Sequence, residues 1–375
     1  MDAQSRARDS TQPRKVPERP PGGIRPPVFR LAVLTPFAAP SVRGNAITVG
    51  RVVRGLRERG IDARLWDASA ASEAAIAREV EAERPALIHV FHAYRVGPLA
   101  LRLARRLEVP LVVTLTGTDA NHDLFDPERA ADVRRVLEGA AAVTAFHATI
   151  VERVAGALPD LRRRLVVVPQ AVRFDDDALP FDLDAAWSLP AERVLVLFPA
   201  GIRPVKAPRM PLAPLEALAA VEPRLRLAYA GPVLDEEEGA ALQRELATRP
   251  WARHLGPVPH TRMASLLRQA DVVLNCSISE GGMANSVLEA LACGRATLAA
   301  DIPGNRALIE DDVTGLLFDG PARLRRQAER LVRDPGLRAR LGRAGRARVE
   351  REYPPSREID GYADVYRSFV RNVST

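Results

Sequence analysis

Two stretches in the second half of the chain carry residue types suited to phosphate and sugar chemistry. In GIRPVKAP, Arg203 and Lys206 place two cations on a short proline-containing loop, a spacing that fits a diphosphate. Of the 54 basic residues only Lys15 and Lys206 are lysine, so arginine is used almost everywhere it serves. Position 206 therefore calls for a compact point charge where a planar fork does not fit, chance survival of one lysine being the alternative. In SISEGGMANSVLEALACG, Glu280 ends a strand, Gly281 and Gly282 make a turn, and a helix is expected from near Met283 with Asn285 and Glu289 on it. Free N–H groups at that helix start can hold phosphates, and carboxylates on either side of the turn can accept hydrogen bonds from sugar hydroxyls. Glu289 sits in an otherwise apolar helix, where an unpartnered carboxylate is costly to bury, so it wants a hydroxyl or a cation.

The first half holds weaker constellations. TPFAAPSVRGNAITVG runs from a strand through Gly44-Asn45 into a helix, which turns backbone N–H groups toward a ligand, although it lacks the glycine spacing of dinucleotide-binding domains. His89, His92 and Tyr94 lie in HVFHAYRVG, and Thr118, Asp119 and Asn121 in TGTDANHD. His89 falls inside a strand and reads as core. A loop His92 beside a loop Asp119 could orient and deprotonate a substrate hydroxyl. An aspartate capping the next helix and a histidine satisfied by the backbone fit the same residues. Five of the six asparagines (45, 121, 275, 285 and 305) fall at or just after expected strand ends, where ligand groups of such domains lie; turn and cap chemistry is the competing explanation.

These residues need elements to position them, and the chain supplies a regular alternation. Short β-rich runs (FRLAVLTP, ARLW, ALIHVF, LVVTLTG, AVTAF, LVVVP) alternate with amphipathic stretches, lapse through an aspartate-rich segment, and resume with RVLVLFPA, LRLAYAG, DVVLNCS, RATLAAD and TGLLF. That spacing predicts an α/β protein of two Rossmann-like domains with parallel sheets facing a crevice, the place where open parallel sheets bind ligands. The expected boundaries are a disordered tail over 1–27, an N-terminal Rossmann-like domain over 28–175, a linker over 176–192, a C-terminal Rossmann-like domain over 193–352, and a C-terminal helix over 353–375 packing back on the first domain. At 375 residues, 47% hydrophobic and 27% charged, the chain has the balance of a soluble globular protein. Only 5% of residues are aromatic and the net charge of +7 is interleaved, so a nucleic-acid surface is not expected. Cys276 and Cys293 have no metal-binding spacing and no apolar run is long enough to span a bilayer, which points to the cytoplasm and leaves only peripheral membrane association open.

From Phe29 to Phe369 the sequence resembles the retaining family 4 glycosyltransferases of the GT-B fold. The Arg/Lys loop, the E-G-G turn and the I-P-G-N…V-T-G-L-L-F stretch from Ile302 to Phe318 carry the resemblance. More narrowly, S-x-R-G-N, G-T-D, R-P-V-K and E-G-G are similar to selenosugar synthases of selenoneine biosynthesis and to bacterial relatives of glycosyltransferase 1 domain-containing proteins. The resemblance implies that the domain over 28–175 is the acceptor side, that the domain over 193–352 binds the nucleotide sugar, and that Arg203 and Lys206 neutralise its diphosphate. It further implies that Glu280 and the N–H groups of Gly282 and Met283 face the donor sugar and phosphates, and that Glu289 holds the ribose hydroxyls. Two spacings depart from the family: Glu280 and Glu289 enclose one residue more than the usual pair, and Arg203 lies closer to its lysine. The expected activity is transfer from a nucleotide donor, most simply a UDP-sugar, with retention of configuration and without a metal or other cofactor. A selenosugar synthase using selenophosphate, a nucleotide-sugar hydrolase or epimerase, and a non-catalytic binder are the rival readings.

Overall fold

The computed structural model describes residues 29–39, 41, 44–174, 179–280 and 282–370. The expected tail over 1–27 lies outside the described residues. Six strands, β1 (Arg30–Thr35), β2 (Asp62–Asp67), β3 (Leu87–Phe91), β4 (Leu111–Leu115), β5 (Ala142–Ala145) and β6 (Leu165–Val167), form one parallel sheet in the order β2-β1-β3-β4-β5-β6. Six more, β7 (Val194–Phe198), β8 (Leu225–Tyr229), β9 (Ala252–His254), β10 (Val272–Asn275), β11 (Ala296–Ala300) and β12 (Leu316–Phe318), form a second in the order β12-β11-β10-β7-β8-β9. All pairings are parallel. Each sheet carries helices on both faces, so the central strands are continuous apolar runs; LIHVF and VLVLF are buried at every position.

The helices follow the sequence period closely. The helix Gly97–Leu107 buries Leu99, Ala100, Leu103 and Ala104 and leaves its arginines outside, as a 3.6-residue repeat requires. Asp235 caps the helix Glu236–Leu246 by accepting from the Glu238 N–H at 2.9 Å. The segment expected as a linker is described from Leu179 onward and is not free: Leu183 and Trp187 are buried against Leu195 and Leu197 in the second domain's core. Among the described residues no helix is long and apolar enough to cross a membrane.

The chain returns to the first domain at its end. The helix Pro355–Arg367 lays Ile359, Tyr362, Ala363 and Tyr366 into one core with Phe29, Leu31, Val33 and the helix Gly44–Glu58. A fully buried, bidentate ion pair fixes it there, with Arg51 Nε 2.7 Å and Nη2 2.8 Å from the two Glu358 oxygens. His89, from the middle of β3, completes the contact. Its ring nitrogens lie 2.6 Å from the Thr114 hydroxyl and 2.7 Å from the Tyr366 hydroxyl.

Burial pushes the His89 imidazole down to about 3. Between that value and the ordinary value of about 6.5 the unfolded chain binds the proton that the folded chain refuses, so stability is full above the upper value and is lost as pH falls toward the lower. The midpoint of urea unfolding is expected to drop more steeply between neutral and mildly acid pH in the wild type than in His89→Gln. Parallel slopes would remove His89 as the cause.

Candidate active site

The carboxyl ends of both sheets open onto one crevice of about 420 Å³. From the first domain Gly44, Asn45, His92, Thr118 and Asn121 line it, and from the second Arg203, Lys206, Glu280, Met283, Asn285 and Glu289. Eleven of the residues singled out from sequence therefore converge on one cavity. Asp119 and Gly282 are not on its wall, and Gly281 lies outside the described residues.

Lys206 ends a short 3₁₀ turn, Pro204–Lys206, that follows β7. Its Nζ sits 2.5 Å from Glu280 Oε1, which also accepts from the Ser277 hydroxyl at 2.6 Å and from Asn275 Nδ2 at 3.3 Å. Burial raises the Glu280 carboxyl, but the Lys206 charge and these hydrogen bonds outweigh it and hold the group below the usual carboxylate range. Asn275 is fixed in turn, because its Oδ1 accepts from Ser277 N–H at 3.1 Å and from Asn305 Nδ2 at 3.1 Å. Glu280 thus enters the site as the counter-ion of Lys206, with Oε2 left without a protein partner among the described residues.

Glu289 lies on the helix Asn285–Ala292, which starts two residues later than expected. Its Oε1 is 3.0 Å from His260 Nε2, and the His260 ring stacks on Phe174 with centroids 5.9 Å apart. The costly buried carboxylate has found a partner that sequence reasoning missed. Pro259-His260 starting a helix after β9 was the available signal. Gly282 has φ +125°, a backbone that favours glycine, and a Cβ there would stand 3.1 Å from Phe146 Cβ of the other domain. Its place is a close contact between domains, beside Asn121 Nδ2, which donates to the Glu280 carbonyl at 2.8 Å. Asn285 Nδ2 makes a second bridge, donating to the Gly44 carbonyl and the Thr48 hydroxyl at 3.2 Å each. Gln170 Nε2 donates to the same hydroxyl at 2.9 Å. Nothing in the segment PQAV marks Gln170 in advance.

The expected pairing of His92 with Asp119 needs correction. Asp119 is fully buried, and its two oxygens accept from the N–H groups of Ala93, Thr116, Gly117 and Ala120 at 2.8–3.1 Å. It organises the loops after β3 and β4 and has no lone pair to spare for a substrate. His92, at φ +87°, accepts the Arg95 N–H at Nδ1 over 3.3 Å and stands 4.0 Å from Asp119. With Nδ1 as acceptor the neutral ring carries its hydrogen on Nε2, which stands 3.9 Å from Asp123 Oδ2, so His92 lines the crevice with that N–H beside a buried carboxylate where a general base was expected.

Among the described residues no group of three or more His, Cys, Asp or Glu side chains is arranged to hold a metal ion. The positive charge facing the crevice comes from Arg203, Lys206 and Arg95.

Two parallel-sheet domains with their carboxyl ends across one polar crevice have the architecture of the GT-B fold. The model of Glycosyltransferase Family 4 matches residues 28–176, and a glycosyl transferase-like model matches residues 212–363. The D-inositol 3-phosphate glycosyltransferase of Frankia alni is 30% identical over 87% of this chain and 86% of its own. Glycosyltransferase 1 domain-containing protein 1 of Xenopus tropicalis is 26% identical over 88% and 94%. The chain belongs to the family 4 glycosyltransferases. Anabaena HepE, solved with UDP and glucose, shares the fold at a TM-score of 0.73, with 16% identity over 91% of this chain and 100% of its own. Sucrose-phosphate synthase of Thermosynechococcus elongatus does so at 0.72, with 18% identity over 91% and 98%.

Glu289→Gln keeps the side chain's shape and removes its charge. Calorimetry with UDP is expected to show weakened binding with an unchanged melting temperature. Unchanged affinity would mean that the ribose is held elsewhere.

Proposed function

We propose that this glycosyltransferase takes its sugar from a UDP-sugar and transfers it with retention of anomeric configuration. The observation that carries the reading is the convergence of Arg203, Lys206 and the Glu289–His260 pair on one wall of the crevice. Two cations meet the diphosphate, and Glu289 Oε2 meets the ribose hydroxyls. Structural relatives solved with UDP and with UDP-glucose support the same donor. As the bond from the anomeric carbon to the diphosphate breaks, negative charge grows on the leaving oxygen. Arg203 and Lys206 stabilise it in place, so this proposal asks nothing of a metal. Among the described residues the two carboxylates that line the crevice are each engaged through one oxygen, Glu280 with Lys206 and Glu289 with His260, so this reading assigns neither of them as a covalent nucleophile. The acceptor therefore enters on the face that the diphosphate leaves, and the departing phosphate oxygen takes the acceptor's proton.

The test uses UDP-glucose in water with no added acceptor, where slow hydrolysis reports the stereochemistry. Proton NMR at early times should show α-glucose appearing before mutarotation. β-Glucose appearing first would overturn retention, and failure of UDP-glucose to bind would overturn the donor.

A further inference from the structure

The cations of the crevice stand on opposite walls, and only one wall is accounted for by a donor diphosphate. Arg203 and Lys206 belong to the second domain, whereas Arg95 lies on the loop after β3 in the first. Arg95 is exposed, and its guanidinium carbon stands 5.6 Å from the centroid of the Phe37 ring. No carboxylate lies within ion-pair distance of it among the described residues. The carboxylates around it are already committed: Asp119 to four backbone N–H groups, Asp123 to Arg129 at 2.9 Å, and Asp67 to Ala38 N–H at 2.8 Å. Arginine elsewhere in this chain is paired with acids again and again, so a crevice arginine stacked on a ring and left with its N–H edges open is set up for an anion that arrives from outside.

The same loop ties this cation to the reacting centre. The Arg95 N–H is the donor that fixes His92 Nδ1, so an anion on the guanidinium lies within a few residues of the imidazole that faces the crevice. We infer that the acceptor carries a phosphate or carboxylate group, and that Arg95 binds it and sets the acceptor's reacting atom beside His92. The inference rests on the proposed donor reading, in which the other two cations belong to the diphosphate.

The experiment loads the full chain with UDP, so that Arg203 and Lys206 are occupied, and titrates glycerol 3-phosphate against glycerol by calorimetry. Glycerol 3-phosphate should bind and glycerol should not. Arg95→Gln should weaken the phosphate at least about tenfold, as expected for loss of a charge-assisted contact, and leave UDP affinity and melting temperature unchanged. Arg95→Lys should recover part of the loss. Sedimentation with phosphatidylcholine vesicles containing phosphatidic acid separates two sources of the same chemistry: Arg95-dependent binding to the vesicles alone assigns a lipid headgroup, and binding of glycerol 3-phosphate assigns a soluble acceptor. Equal binding by Arg95→Gln, equal binding of glycerol, or no binding of either phosphate by wild type would overturn the inference. If UDP itself does not bind, the donor reading fails separately, and titration of the UDP-free protein still reads Arg95.

Discussion

Lys206→Ala is expected to cut sugar transfer a hundredfold or more while the protein remains folded. Losing a charge-assisted contact with developing phosphate charge costs about 3 to 4 kcal/mol. The geometry adds a second penalty. Glu280 Oε1 lies 2.5 Å from the lysine, so removal of the ammonium leaves a largely buried carboxylate facing the site where an anion must bind. Lys206→Arg should rescue only in part, because a planar fork replaces the compact charge that Nζ sets against Glu280 Oε1. Combining Lys206→Ala with Glu280→Gln should recover part of the loss by removing the stranded charge, and a double-mutant cycle measures that coupling. Turnover of Lys206→Ala within about threefold of wild type would sink the assignment.

His92→Ala is the second large effect. The residue holds a positive φ on the loop that follows β3 and lines the crevice, with its Nε2 3.9 Å from Asp123 Oδ2. Loss of one fixed donor to a reacting oxygen costs on the order of a hundredfold in turnover. UDP affinity should stay near wild type, since the proposed donor groups are all on the second domain. His92→Gln, whose amide also donates, should retain part of the activity. If glutamine does no better than alanine, the ring works as a base after all. Equal loss of UDP binding and transfer would make His92 a support for the crevice and nothing more.

The alternation of β-rich runs and amphipathic stretches carries the architecture on its face, because parallel strands buried on both sides must read as apolar runs. RVLVLFPA and ALIHVF leave little choice. The convergence of Gly44, His92, Lys206 and Asn285 was legible for a related reason: each follows a strand or starts a helix, and topology brings those ends together. The partners were not legible. Nothing in the spacing of Glu280 shows that Lys206, Ser277 and Asn275 all reach its one oxygen, since those contacts depend on how two loops fold over each other. Asp119 shows the same limit. A loop aspartate that serves catalysis and one that ties down four amides share one sequence pattern, and only the fully buried geometry separates them.

The order in which the chain leaves the ribosome gives the C-terminal helix a further meaning. The first sheet is complete at Val167, yet its core stays open on one side until the helix from Pro355 arrives with Tyr362, Tyr366 and the partner of Arg51. At about 5 to 20 residues per second, that wait is roughly 10 to 40 seconds. During it the nascent protein carries an uncovered apolar face and an arginine without its carboxylate, while the main core of the second sheet, drawn from Val194 to Leu341 alone, is free to form. The first-domain wall of the crevice is thus finished after the second-domain wall, and a message truncated before Pro355 would yield a folded second domain attached to an aggregation-prone first one.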